Sequence, residues 1–253
     1  MALAVRLRGA VSLLGRFPAL AGVDFDVAGG EIVLVQGANG AGKTTLLRAC
    51  AGLAAFVAGE AEVLGHDLRK ERKAVRRRIG LLGHATFLYD DLTVADNLTF
   101  SARAAGADPS SAAQAMTRMG LDGRLRDVAA GRLSAGQRRR VAVAAVIARR
   151  PDLWLLDEPH AGLDAAGRDL LDQIVLDATA AGATVLLASH ELDRAAALAT
   201  RTVVMAGGQV VGGLLPAPTE TSGPIVTAPG GVGPPPRRGA GDGAPAGKAS
   251  NVA

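Results

Sequence analysis

Cysteine is nearly missing. Cys50 stands alone in 253 residues, so no intrachain disulfide can form, which fits a reducing compartment. No apolar run approaches the roughly 20 residues that span a bilayer. The longest, 141–148 and 184–189, are the size of core elements, so any membrane role is expected to be served from outside the lipid. Residues 1–10 lack a hydrophobic stretch followed by a small-residue cleavage site, and no secretory signal is expected. A long basic run is also missing. Arg supplies 24 of the 28 basic residues, yet the formal charge is only +4, which reads as an ordinary soluble surface rather than a nucleic-acid or lipid patch. No internal repeat is visible.

What is present is 49% hydrophobic content, enough for one large α/β domain with a small insert. Residues 1–36 read as β-rich: 23–27 alternate with period two, 28–30 form a turn, and 31–36 are apolar. A helix is expected over 44–51, closed by Gly52. Residues 59–84 read as short strands around an Arg-rich helix at 68–78. From about 86 to 150 the pattern is mostly helical, an inserted subdomain. The short apolar runs 153–156 and 184–188 suit parallel strands buried on both faces, with a helix over 165–181 crossing between them. From 212 to 253 Gly, Pro and Ala crowd the chain, and this tail is expected to be disordered.

The chemistry begins in the run Gly37, Ala38, Asn39, Gly40, Ala41, Gly42, Lys43, Thr44, followed by Thr45. It fits the pattern G-x-x-x-x-G-K-[ST] between a strand and a helix. Glycines let backbone N–H groups turn inward on phosphate oxygens, and the helix N-terminus adds positive potential. Lys43 reaches the β/γ-phosphates of ATP, and the Thr44 hydroxyl is a ligand for Mg²⁺. An apolar strand then ends in Asp157 and Glu158, ahead of Pro159. Asp157 is expected to hold the metal through water, on a strand neighbouring that of the phosphate loop. Glu158 is placed to orient and deprotonate the attacking water. His190, after the strand 184–188 and Ser189, is placed to hydrogen-bond the γ-phosphate. His66 reads as a surface-turn residue, and His160 as either a neighbour of the site or a spectator.

Leu133-Ser-Ala-Gly-Gln137, followed by Arg138, Arg139 and Arg140, resembles the signature motif of ABC ATPases. The resemblance implies a P-loop core with an N-terminal antiparallel β portion and a helical insert. It covers residues 1–211, and Leu163-Asp164 matches the family's D-loop. It further implies that Ser134, Gly136 and Gln137 grip the γ-phosphate of ATP held by an opposite subunit, in a homodimer or a pair of ATPase subunits. Such a dimer works at the cytoplasmic face of a membrane beneath transmembrane transporter subunits, without direct contact to nucleic acid. Two positions depart from the family pattern. Leu14 stands where an aromatic ring usually stacks on adenine, with Phe17 the nearest ring. Where a glutamine usually follows the strand 79–82, the chain reads Gly83-His84; Gly83 is expected to free the backbone to bend, and His84 to sense the nucleotide. With the run Tyr89 to Phe100, this pair is similar to the ATP-binding subunit of the haem exporter of cytochrome c maturation. The alternatives are another bacterial export subunit, or a soluble relative acting on nucleic acid. The latter type carries coiled coils, zinc modules or duplicated ATPase units, which this sequence lacks. Without Cys-x-x-Cys-His, haem itself is expected to be handled by partner subunits.

Overall fold

The computed structural model describes residues 2–214. Two strands open the chain, β1 (Leu3–Leu14) and β2 (Phe17–Ala28), followed by β3 (Ile32–Gln36) and helix α1 (Lys43–Cys50). Next come β4 (Phe56–Val63), β5 (His66–Asp67) and β6 (Ile79–Leu82). The insert holds α2 (Val94–Ala105), α3 (Ser110–Arg118) and α4 (Ala135–Ala148). The chain then runs β7 (Leu153–Asp157), α5 (Ala165–Ala180), β8 (Thr184–Ala188), α6 (Leu192–Leu198), β9 (Arg201–Ala206) and β10 (Gln209–Leu214).

Two sheets result. One is antiparallel, in the order β2-β1-β4-β5; the other runs β10-β9-β3-β8-β7-β6, parallel except for the β9–β10 pair. Every residue of β7 and β8 is buried, as their unbroken apolar runs require. One core packs α1, through Leu46, Leu47 and Cys50, against the inner faces of both sheets. A second lies on the far side of the parallel sheet, where Val94, Leu98, Val141 and Val143 of the insert meet Trp154, Leu156 and Ile174. Helices α2, α4 and α5 begin where their sequences cap them. The Thr93 hydroxyl accepts from Asp96 N, Asp164 Oδ1 accepts from Gly167 N at 2.9 Å, and Ser134 with Gln137 forms a reciprocal capping box.

Three sequence expectations are corrected. The helix at 68–78 shrinks to one 3₁₀ turn, Ala74–Arg77, because its arginines face solvent and only Leu68 and Val75 are buried, too little apolar surface to hold a longer helix. β7 is not the neighbour of β3: β8 lies between them, pairing Val35 with Ala188 on one side and Ala188 with Asp157 on the other. Finally, 212–214 belong to β10, which pairs Gly212 with Val204. The remainder of the tail expected to be disordered lies outside the described residues.

Candidate functional site

β3 ends at Gln36, and the chain turns through a loop pinched between β2 and β9. At Gly37 (φ 150°) a Cβ would stand 2.3 Å from the Met205 carbonyl oxygen, and at Gly42 (φ 104°) 2.6 Å from that of Ala19, so both positions require glycine. Gly42 is also the N-cap of α1, and no side chain caps this helix. Its leading N–H groups are therefore left for an anion, at the positive end of the helix. Lys43 is buried, and its Nζ donates to the carbonyls of Gly37 (2.7 Å) and Ala38 (3.1 Å), which holds the ammonium over the loop.

The opposite wall comes from the carboxyl ends of β7 and β8. Thr44 Oγ1 donates to Asp157 Oδ2 at 2.8 Å, so the first turn of α1 closes the gap that β8 opens between β3 and β7. Glu158 follows in the left-handed region (φ 48°), a conformation an L-residue other than glycine rarely adopts. Its N–H donates to Ala188 O at 2.8 Å. Its carboxylate accepts from the His190 N–H at 3.0 Å, with His190 Nε2 3.5 Å from the other oxygen. The cleft bounded by these groups is about 370 Å³ and is lined also by Asn39, Gly40, Ala41, Gly42, Thr45, His84, Leu14 and Ala19. Gly37 and Ala38 belong to the loop but are not on the lining. No phenylalanine, tyrosine or tryptophan lines the cleft: Leu14 reaches it, whereas Phe17 is exposed and is not on its wall.

Ser134, Gly136 and Gln137 are not part of this cleft; they form the start of α4, with Ser134 exposed. Just beyond them, Arg140 grips both oxygens of Asp164 at 2.9 and 2.8 Å, and this guanidinium holds the Asp164 carboxyl below the usual range. Gly83 does not have a positive φ, and a Cβ there would make only ordinary contacts, so the bend before His84 does not depend on glycine. His66 joins β5 and lies 3.3 Å from Glu71, away from the cleft. His160 is a spectator: it is buried, with Nε2 2.7 Å from Asp172 Oδ1, and so ties the turn after β7 to α5. Cys50 is fully buried in the core, and burial pushes its thiol up to about 12.

Arg139 was not singled out from the sequence, although a signal existed. It falls on the same helical face as Ala142, Val143 and Val146, all buried, where a charged residue is out of pattern. Its side chain is buried beneath the carboxyl end of β7, against the carbonyls of Asp157 and Glu158.

A family model described as ABC transporter matches residues 20–161. The chain is 36% identical over 170 residues to the cytochrome c biogenesis ATP-binding export protein CcmA of Shewanella frigidimarina, covering 67% of this chain and 78% of that one. It is 41% identical over 189 residues to CcmA 1 of Salmonella paratyphi A, covering 74% and 90%. The daunorubicin/doxorubicin resistance ATP-binding protein DrrA of Streptomyces peucetius is 38% identical over 212 residues, 82% of this chain and 64% of that protein. Among solved structures, the ATP-binding subunit of an ABC transporter superposes with a TM-score of 0.78 at 24% identity, covering 84% and 90%. A dimeric post-hydrolysis cassette bound to ADP and Pi gives 0.74 at 24%, covering 84% and 99%.

Proposed function

The chain belongs to the ABC transporter family, and from that premise we propose that it is the ATP-hydrolysing subunit of a haem exporter serving cytochrome c biogenesis. The observation that carries the ATPase half is the convergence of Lys43, Thr44, Asp157, Glu158 and His190 on one cleft. The exporter half is supported by the CcmA relatives and by Gly83-His84 at the junction with the insert. A second reading, an ATPase subunit of another bacterial exporter, draws on the longer alignment to DrrA.

In the proposed mechanism the loop amides from Gly40 to Thr45 and the α1 N-terminus cradle the phosphates of ATP, and Lys43 supplies a mobile positive charge to the β/γ-phosphates. Thr44 and Asp157, already 2.8 Å apart, fit a Mg²⁺ ion that takes one or two protein oxygens, the rest of its shell being water and phosphate. Such an ion would neutralise charge on the transferred phosphoryl group. Glu158 orients the attacking water and accepts its proton, while His190 faces the γ-phosphate end. Ser134, Gly136 and Gln137, remote from their own cleft, complete the cleft of a second copy of this chain in a head-to-tail dimer.

Movement is passed to transmembrane partners. No helix among the described residues is long and apolar enough to cross a membrane. A groove of about 410 Å³ next to the His84 loop is lined by Leu53, Phe87, Tyr89 and Phe100, each about half exposed or more. This groove is the proposed seat of a segment of the membrane subunit, and a chain docked there works as a peripheral protein at the cytoplasmic face.

Glu158→Gln tests the reading. Nucleotide binding is expected to persist while turnover falls about 10²–10⁴-fold, because only the proton acceptor is removed. The variant should accumulate as an ATP-bound dimer on size exclusion. Turnover at the wild-type rate would overturn the role given to Glu158.

A further inference from the structure

Arg139 leaves the surface of α4 and enters the core without a salt bridge, the charges of Asp157 and Glu158 acting on it only at a distance. It is 6% exposed, and all its hydrogen bonds run to backbone carbonyls. Nη1 donates to Gly83 O at 2.6 Å; Nη2 donates to Glu158 O at 2.5 Å and reaches Asp157 O at 3.4 Å. Nε has no partner. Stability alone does not account for such a residue, since an apolar side chain of similar volume fills a core without stranding an N–H. The carbonyl it grips most closely belongs to a residue in the left-handed region, a local conformation that persists only where the surroundings impose it.

We propose that Arg139 is a positioning residue that sets the aim of the Glu158 carboxylate and ties it to the loop carrying His84. The guanidinium is planar, so Nη1 and Nη2 cannot move independently. Any displacement of Gly83 is therefore transmitted to the backbone of Glu158 through one rigid fork. Gly83 begins the loop whose following residues Ala85, Thr86, Phe87 and Tyr89 line the apolar groove. α4 itself starts at the signature residues, so the same side chain links three regions: the dimer-facing helix, the groove loop and the catalytic strand end. The inference rests on the proposed role of Glu158.

The test is a double-mutant cycle on the full chain, measuring ATP turnover and nucleotide affinity for Arg139→Met, Arg139→Lys, Glu158→Gln and the combined variants. Arg139→Met is expected to keep ATP affinity within about twofold and to lose about 10–100-fold in kcat, the scale of a small misplacement of a catalytic group. Arg139→Lys, which keeps the charge but not the fork, should recover only part of that loss. The combined variants should turn over no more slowly than Glu158→Gln alone, because Arg139 acts through that carboxylate. If the Met variant does not fold, the Lys variant carries the same cycle. Losses that multiply in the double variant, or ATP affinity falling in step with kcat, would overturn the proposal. A wild-type rate in Glu158→Gln would instead sink the role of Glu158 itself, and a slow Glu158→Gln beside a wild-type-like Arg139→Met would sink only the inference about Arg139.

Discussion

Lys43 and Arg139 are both buried cations that bond only to backbone carbonyls, and their surroundings assign them different work. The Lys43 ammonium is a compact charge on a flexible stem at the wall of an open cleft, and it can exchange carbonyl oxygens for phosphate oxygens. Lys43→Ala is therefore expected to weaken ATP binding about 10–100-fold, the value of one hydrogen bond to a charged group. A fluorescence or calorimetric titration reads this directly, and unchanged affinity would count against the cradle. The contrast with Glu158→Gln is diagnostic, since that change should spare binding. Lys43 was legible in the sequence because its spacing from the glycines is fixed by the loop it closes. Arg139 was not, because the three adjacent arginines look alike until the helix phase puts one of them on the apolar face.

At the level of elements, the strands that carry the chemistry could be read from their composition, but their order could not. Residues 153–157 and 184–188 are equally apolar, and nothing local tells which of them lies next to β3. Only pairing across the sheet decides that. The consequence is that Thr44, on α1, bridges to Asp157 over β8. The expected helix at 68–78 failed for the opposite reason: high helix propensity with only Leu68 and Val75 to bury. For α4 the local and the functional readings of Ser134 coincide, as cap and as phosphate contact, and a substitution can separate them. Ser134→Gly keeps most of the N-cap energy, losing only a few tenths of a kcal/mol, so the melting temperature should stay within about 1 °C. The hydroxyl is gone, however, and the ATP-bound dimer formed in the Glu158→Gln background should dissociate more readily on size exclusion. An equally stable dimer would confine Ser134 to capping.

For the molecule as a whole, the question is how the cleft and the groove communicate. His84 lines the cleft and stands at the start of the loop that walls the groove. An imidazole offers one hydrogen bond at each nitrogen, so it can report on a ligand without closing the site to water. His84→Ala is expected to lower basal ATPase modestly, and to lower turnover stimulated by the membrane partner much more, because coupling is a free energy between two sites. Assays of the isolated chain and of the complex in vesicles would compare the two. Equal losses would make His84 a residue of the cleft alone. A broader consequence follows from the left-handed backbone at Glu158. Glycine would sit there without strain, so the substitution that best relaxes this turn is also one that removes the carboxylate proposed to activate water. Selection for heat resistance alone would favour glycine there and leave a protein that binds nucleotide with little turnover.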